Sequence, residues 1–215
     1  MPDWLIVLIL GIVEGITEFL PVSSTGHLLL FEHWLRVEKS DLFNIVIQCG
    51  AVIAVIPLFS HRIRDLLTKW REPRTRDYLA KLVTAFVITA VLGLIVDKMG
   101  FKLPDNPIPI GIAMLVGGIL FLVIERFLGD RKGSEEITWA VAVAVGLGQI
   151  LAGVFPGSSR SGTTILFSLL LGLSRPAATE FSFLVGIPTM LAAGGWKILK
   201  QLRHHEGAGE NWGML

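Results

Sequence analysis

Two carboxylates, Glu14 and Glu18, stand four residues apart in an otherwise apolar stretch. On a helix this spacing puts them on one face, where two like charges repel unless a cation or a proton lies between them. We therefore expect Glu14 and Glu18 to bind a divalent metal ion. The alternative is that each carboxylate pairs with a buried basic group, but ionisable residues within membrane segments are functional by default.

A proline and a run of hydroxyl residues follow the carboxylates. Pro21 lacks a backbone N–H and disfavours helix at the preceding residue, so the first helix is predicted to end near Leu20. Ser23, Ser24 and Thr25 are of the types that cap a helix N-terminus, where free N–H groups and the helix dipole attract anions. The pattern predicts a second helix that begins at Ser24 and binds a phosphate.

His27 follows Ser24 by three residues and would share its helical face, close enough to exchange a proton with the hydroxyl group. The hydroxyl run alone would be no more than a helix cap. His27 alone would more often be a hydrogen-bonded interior histidine. Carboxylates, hydroxyls and a histidine in one cluster favour a phosphoryl-transfer site over these separate roles.

A second polar motif surrounds Arg160, the only charged residue between Glu136 and Arg175. A guanidinium buried there needs an anionic partner, and its planar fork matches two phosphate oxygens. The hydroxyl groups that could complete an anion-binding nest belong to Ser158, Ser159, Ser161, Thr163 and Thr164. The alternative is an internal ion pair of Arg160 with Glu14 or Glu18 that involves no ligand.

The composition is that of an integral membrane protein. Of 215 residues, 52% are hydrophobic and 17% are charged, and the mean hydropathy is +0.65. A net charge of +1 offers no basic surface for nucleic acid. The one cysteine, Cys49, excludes an internal disulfide and a cysteine metal cage.

Apolar segments and basic loops predict the topology. The segments of spanning length are residues 42–60, 78–96, 108–126 and 176–200. The interval 61–77 is the densest basic stretch and is predicted to be a cytoplasmic loop. Residues 4–17 and 137–155 are too short for a hydrocarbon core of roughly 30 Å, so each is predicted to form a re-entrant hairpin with the segment that follows.

The two hairpins form an internal repeat. At a constant separation of 135 residues, Gly11, Glu14, Pro21, Ser23 and Ser24 align with Gly146, Gln149, Pro156, Ser158 and Ser159. Three spans lie between the hairpins, so the second enters from the opposite side, and repeats of this kind bring broken helices together at the midplane. We predict an all-α integral membrane protein with inverted-topology repeats in one domain, the first repeat at 1–126 and the second at 137–215.

These motifs closely resemble those of the undecaprenyl-diphosphate phosphatase family, membrane enzymes linked to bacitracin resistance. The resemblance rests on EGITEFLPVSSTGH at 14–27 and PGSSRSG at 156–162, helped by EFSF at 180–183, and it covers essentially the whole chain. It implies a bacterial inner-membrane enzyme that converts undecaprenyl diphosphate to the monophosphate, which recycles the lipid carrier of peptidoglycan synthesis. It also implies dependence on Mg²⁺ or Ca²⁺ and an active site open toward the periplasm.

Position by position, the resemblance implies that Glu14 and Glu18 bind metal and position the substrate, with Glu18 among the catalytic residues. Ser24 is the implied nucleophile, His27 its proton-transfer partner and Arg160 the diphosphate clamp. The residues implied to assist in substrate binding are Ser23, Thr25, Ser159, Ser161, Gly162 and Thr164. From the residues alone, the nucleophile could be Ser24, His27 or an activated water.

Two departures from the family pattern bear on these expectations. The span after the basic stretch usually carries a proline where this chain has Ile88 and Thr89. The family continues with roughly two further hydrophobic helices, so we expect the C-terminal spans to be missing here, and residues 211–215 read as the start of another span.

The expected partners are the lipid substrate and the bilayer, and a homodimer is retained as a further candidate. A secondary transporter or lipid flippase is the alternative function, since inverted repeats with polar breaks are also transporter architecture. A non-catalytic membrane scaffold is a third reading.

Overall fold

The chain is all-α within residues 1–100, 107–129 and 131–204, which the computed structural model describes. A short 3₁₀ turn, Ile56–Phe59, joins the third helix to the fourth. The predicted beginning of another span at 211–215 lies outside the described residues. In chain order the helices are α1 (Asp3–Thr17), α2 (Ser24–Leu35), α3 (Asp41–Val55), α4 (Ser60–Thr68), α5 (Pro73–Lys98), α6 (Pro107–Leu128), α7 (Trp139–Val154), α8 (Arg160–Leu170) and α9 (Arg175–His204).

Four helical segments are long and apolar enough to cross a membrane. They are Leu42–Thr68, Pro73–Lys98, Ile108–Leu128 and Arg175–Lys200, and the mean hydropathy of each lies between 1.3 and 2.4. The first three lie between the two hairpins, as the sequence predicted. The prediction of an all-α, multi-pass membrane protein is confirmed.

The prediction of a loop over residues 61–77 is wrong. α4 continues the third helix to Thr68, and only residues 69–72 separate it from α5, which begins at Pro73. Charged side chains do not break a helix that leaves the membrane, because their heads reach water while the backbone keeps its hydrogen bonds. Lys69 and Asp65 even form an ion pair across one turn, with Nζ and Oδ1 3.0 Å apart.

The first hairpin packs α1 against α2 and α3. Buried positions on α1 recur about every four residues, at Ile6, Leu10 and Glu14, and so form one stripe along the helix. The apolar part of this stripe packs against Leu28 of α2 and Phe43 of α3. Glu14 therefore sits at the inner end of a core-facing stripe, where a carboxylate is desolvated.

The second hairpin is built in the same way from α7 and α8. Its core includes Val141 and Val145 of α7 and Ile165 of α8, all of which pack with Phe181 of α9. Each hairpin helix has 11 to 16 residues, too few to cross the hydrocarbon core. Both hairpins are therefore held by the surrounding longer helices.

Two ion pairs show which ends of the long helices lie side by side. Arg175, which opens α9, donates from Nε to Glu125 near the end of α6 at 3.1 Å. Near the other end of α9, Lys200 Nζ lies 3.5 Å from Asp97 Oδ1, which is near the end of α5. α5 and α9 thus finish at the same side, opposite the basic segment that precedes α5.

α5 and α7 are in close contact at Gly146. A Cβ atom there would lie 2.9 Å from the carbonyl oxygen of Ala85 and 3.0 Å from Ile88 Cβ. Beside this contact, the Thr89 hydroxyl accepts a hydrogen bond from Gln149 Nε2 at 2.9 Å and lies 3.1 Å from the Gly146 carbonyl oxygen. The hydrogen bonds of Thr89 and the close approach that Gly146 permits together hold α5 against α7.

Gly146→Ala is expected to lower the free energy of unfolding by about 1–3 kcal/mol, because the added methyl group overpacks the α5–α7 contact. Gly153→Ala on the same helix is the matched control, since a Cβ there meets nothing within 4 Å. The control is expected to be neutral or stabilising, because alanine is the better helix former. Thermal melting in detergent micelles, followed by circular dichroism, compares the two; equal melting temperatures would contradict the proposed close contact.

Candidate active site

The first hairpin turns on a serine held in an uncommon backbone conformation. Ser23 has φ 66° and caps α2, and its Oγ accepts a hydrogen bond from the Gly26 N–H at 3.4 Å. α2 begins at Ser24, as the sequence predicted. α1 ends at Thr17, three residues before the predicted position, and Glu18 caps it. This sharp turn brings the end of α1 against the start of α2.

Glu18 and Ser24 meet across this turn. Ser24 Oγ donates a hydrogen bond to Glu18 Oε2 at 2.5 Å, and both residues are buried. Glu14 lies one turn earlier on α1, is fully buried, and has Glu18 and Ser24 as its electrostatic neighbours. Neither Glu14 oxygen has a hydrogen-bond donor in bonding geometry among the described residues. A buried carboxylate without donors is costly unless a ligand supplies them.

His27 is arranged differently from the prediction. Its Nδ1 lies 2.8 Å from the Ser23 carbonyl oxygen, and in the described part of the chain no hydrogen bond joins it to Ser24. A carbonyl oxygen only accepts, so Nδ1 carries the proton and Nε2 is the nitrogen able to exchange one. Thr25, predicted to assist in substrate binding, is exposed on α2.

The second hairpin repeats the geometry of the first. Ser159 has φ 57°, caps α8, and accepts a hydrogen bond from the Gly162 N–H at 3.1 Å. The two caps, Ser23 and Ser159, are 136 residues apart, so the predicted constant separation of 135 is wrong for the hydroxyl residues. Between the proline and the cap the second turn holds one more residue than the first, and Gly157 accommodates it with φ 97°.

With this register, Arg160 is the counterpart of Ser24. Each is the first residue of its helix, and each contacts Glu18. Arg160 Nη2 lies 3.2 Å from Glu18 Oε1, while Ser24 occupies the other oxygen. One carboxylate thus joins the openings of α2 and α8.

Further contacts join the two hairpins directly. Ser161 is buried, and its Oγ donates to the Leu20 carbonyl oxygen at 2.9 Å. Gly162 lies against Pro21, close enough that a Cβ atom would be 3.4 Å from the proline Cβ. The predicted meeting of the acidic and the basic hairpin is therefore observed.

The ion pair of Arg160 with Glu18 is the alternative that the sequence left open, and it is present. It uses only part of the guanidinium, because Arg160 Nε and Nη1 have no hydrogen-bond partner within the described ranges. The Glu14 oxygens beside the pair are also without donors. Unused donors and unused acceptors in one buried cluster exceed what a purely structural pair requires.

Thr164 lies one turn after Arg160 on α8, a spacing that places the two residues on the same face of the helix. It is fully buried, accepts from Ser182 of α9 at 2.5 Å, and donates to the Arg160 carbonyl oxygen at 2.8 Å. Its hydroxyl therefore supports the backbone of Arg160. The sequence offers no signal for Ser182 beyond its place in the EFSF stretch at 180–183. Phe183 of the same stretch packs edge-on against Phe19, with ring centroids 5.4 Å apart.

The donor set suits a magnesium-like ion. Within the described ranges no three His, Cys, Asp or Glu side chains gather around one point. Glu14 and Glu18 provide two adjacent carboxylates, and Mg²⁺ is commonly bound by one or two carboxylates together with substrate phosphates. The unpartnered oxygens of Glu14 are available for this purpose.

Comparison with known proteins finds close relatives. The family model described as Bacitracin resistance protein BacA matches residues 7–214. A Rhizobium etli (strain CFN 42) protein named Undecaprenyl-diphosphatase is 54% identical over 214 residues, which are 99% of this chain and 80% of that protein. Proteins of the same name from Xanthomonas euvesicatoria pv. vesicatoria and Xylella fastidiosa are 51% and 53% identical, covering 99% and 95% of this chain and 80% and 78% of their own.

Ser161→Ala is expected to lower the free energy of unfolding by about 0.5–1.5 kcal/mol, because the Leu20 carbonyl oxygen loses the donor that comes from the other hairpin and keeps only the Val22 N–H of its own. Ser158→Ala is the matched control, since among the described residues its exposed hydroxyl donates only to the Phe155 carbonyl oxygen of its own hairpin. Denaturant titration in detergent measures both variants. A loss for Ser158→Ala as large as that for Ser161→Ala would contradict a role in joining the hairpins.

Proposed function

This chain belongs to the bacitracin resistance protein BacA family, and from that premise we propose how its site carries out the activity that its relatives' name describes. The protein removes the terminal phosphate of undecaprenyl diphosphate and leaves undecaprenyl phosphate, the recycled lipid carrier of cell-wall synthesis. The transporter and flippase alternative finds no support among these relatives.

One observation carries the assignment of the site. The two oxygens of Glu18 hold Ser24 from one hairpin and Arg160 from the other, so a hydroxyl nucleophile and a guanidinium are fixed around the same carboxylate. In-line phosphoryl transfer needs a nucleophile and positive groups that stabilise charge on the equatorial oxygens. The cluster supplies both in a buried setting.

We propose that Ser24 Oγ attacks the terminal phosphorus while its proton passes to Glu18 Oε2, to which it is already hydrogen-bonded. The Ser24 oxygen–phosphorus bond forms as the bond from phosphorus to the bridging oxygen breaks, and undecaprenyl phosphate leaves. Water then attacks the phosphoserine phosphorus as one of its protons passes to His27 Nε2, and the bond from phosphorus to Ser24 Oγ breaks. Ser24 Oγ takes back its proton from Glu18, and inorganic phosphate leaves. Glu18 thus acts as the general base, the part first expected of His27.

His27 is left with a supporting part in this scheme. With Nδ1 donating to the Ser23 carbonyl oxygen, Nε2 is the nitrogen that, when it carries a second proton on the ring, we propose donates that proton to the departing lipid phosphate. The unpartnered Nε and Nη1 groups of Arg160 are proposed to bind the diphosphate oxygens. Ser159, Ser161 and Gly162 belong to the same opening turn of α8 and complete the proposed binding nest.

A divalent cation, Mg²⁺ or Ca²⁺, is proposed to bind at Glu14 and Glu18. When bound, such an ion neutralises negative charge on the diphosphate. Glu14 is suited to this role because it is fully buried and its oxygens have no donor among the described residues. Without a cation the two adjacent carboxylates repel each other and the substrate.

The lipid part of the substrate has an apolar groove beside the site. A cavity of about 450 Å³ lies between the tip of the first hairpin and α6, lined by Pro21, Val22 and Met114 among others. Val22 immediately precedes the hydroxyl cluster, so a prenyl chain in this groove would leave the diphosphate next to Ser24. We propose that the first isoprene units of the substrate lie there.

We propose that the site opens toward the periplasm of the bacterial inner membrane. The basic segment between α4 and α5 favours the cytoplasm, and one span, Leu42–Thr68, separates it from the first hairpin. Both ends of that hairpin therefore lie on the opposite side. A homodimer stays a prediction.

Ser24→Ala is expected to lower kcat at least about 100-fold, because the variant lacks the attacking oxygen. Phosphate release from undecaprenyl diphosphate in detergent measures the effect. Thr84→Ala serves as control, since within the described ranges that exposed hydroxyl donates only to the Ala80 carbonyl oxygen of its own helix. Turnover close to that of the unmodified protein in the Ser24 variant would assign the attack to water or to His27 instead.

Glu14→Gln is expected to raise the cation concentration needed for half-maximal rate at least about tenfold, because a neutral amide binds Mg²⁺ more weakly than a carboxylate. Glu32→Gln is the matched control: Glu32 is also buried, on α2 of the same hairpin, but its neighbours are Asn44 and Lys39. Titration of MgCl₂ after removal of metal with EDTA gives both values. An unchanged requirement in the Glu14 variant would exclude this residue as a ligand.

A further inference from the structure

The guanidinium of Arg160 rests on a bare patch of α9. Gly186 is buried, and the three heavy atoms closest to where its Cβ would stand are Arg160 Nη1, Cζ and Nη2, all within 3.2 Å. Any side chain at this position would occupy the volume that the guanidinium fills. The absence of a side chain at Gly186 therefore creates a notch in the surface of α9.

The notch decides where the guanidinium can point. An arginine side chain has several rotatable bonds, and its fork is effective only when its plane is held at a fixed orientation toward the anion. On one side Arg160 Nη2 is tied to Glu18 at 3.2 Å. On the other side α9 closes the space at Gly186. The two contacts together confine the fork, while Nε and Nη1 have no hydrogen-bond partner in the described part of the chain.

We propose that Gly186 is a positioning residue for the dephosphorylation reaction, and that its notch holds the Arg160 guanidinium in the orientation in which it binds the diphosphate. This inference rests on the proposed function of Arg160 as the diphosphate clamp. Gly186 has no side chain that could reach the substrate, and the atoms nearest to it belong to Arg160, so we assign its effect to Arg160 alone.

Ordinary close packing of helices is a different role and makes a different prediction. At Gly146 the nearest atoms to an added Cβ include a backbone carbonyl oxygen, which cannot move without shifting a helix. At Gly186 the nearest atoms belong to the end of a long side chain, which can turn aside. A methyl group at 186 should therefore displace the guanidinium and leave the helices in place.

Gly186→Ala is expected to fold normally and to lower kcat/KM about 10- to 100-fold, because displacement of a substrate clamp by about 1 Å has an effect of this size. Gly195→Ala on the same helix is the matched control, since a Cβ at that position meets nothing within 4 Å. It is expected to retain full activity. Melting temperatures of both variants should stay close to that of the unmodified protein; a Gly186 variant that loses activity only in proportion to lost folded protein would overturn the inference.

A double-mutant cycle with Arg160→Lys separates this inference from the proposed function. The lysine ammonium has no planar fork to be held, so adding Gly186→Ala to Arg160→Lys is expected to lower kcat/KM less than twofold further. If the two substitutions lower kcat/KM by factors that multiply in the double variant, the positioning role of Gly186 is overturned. The proposed binding of the diphosphate by Arg160 would still stand. A Gly186→Ala protein with unchanged kcat/KM alongside a strongly impaired Arg160→Lys protein would likewise overturn the positioning role alone. If the Arg160→Lys protein kept its activity, the proposed role of Arg160 as the diphosphate clamp would be wrong, and so would the role of Gly186 that rests on it.

Discussion

The structure depends on one buried carboxylate that serves two helices at once. Glu18 accepts a hydrogen bond from Ser24 at one oxygen and an ion pair from Arg160 at the other. A charged group removed from water is stable only with partners of this kind, and here the partners come from separate hairpins. The same requirement that stabilises Glu18 therefore brings together the hydroxyl group and the guanidinium that the chemistry uses.

The backbone makes this arrangement possible at two serines. Ser23 and Ser159 both adopt positive φ, and each caps the helix that follows by accepting from a glycine N–H three residues on. The sharp turn lets a short helix enter the protein, stop and leave again within the membrane, where unpaired backbone groups are tolerated only if protein covers them. Because both caps are alike, Ser24 and Arg160 occupy the same position in their hairpins.

Much of this could be predicted from the sequence because the signals are local. Pro21 and the serines predict the end of one helix and the start of the next, and hydropathy predicts the spans. The register of the second turn could not be predicted, since the extra residue at Gly157 is accommodated only by its backbone conformation. Nor could the bond of His27 to the Ser23 carbonyl oxygen or the notch at Gly186, because both depend on where neighbouring atoms lie in space.

The two halves of the repeat differ at the position of the proposed metal ligand Glu14. Glu14 of the first hairpin corresponds to Gln149 of the second, and Gln149 donates to the hydroxyl of Thr89 in the bridge between α5 and α7. A second carboxylate in place of that amide would have no N–H to donate and would add negative charge to a buried contact. The amide N–H of Gln149 therefore suits a structural joint, although its Oε1 has no donor, whereas Glu14 has no donor at either oxygen among the described residues and suits a ligand. The site carboxylates belong to the first hairpin and the Arg160 guanidinium to the second. The attraction between these opposite charges therefore favours contact between the two hairpins.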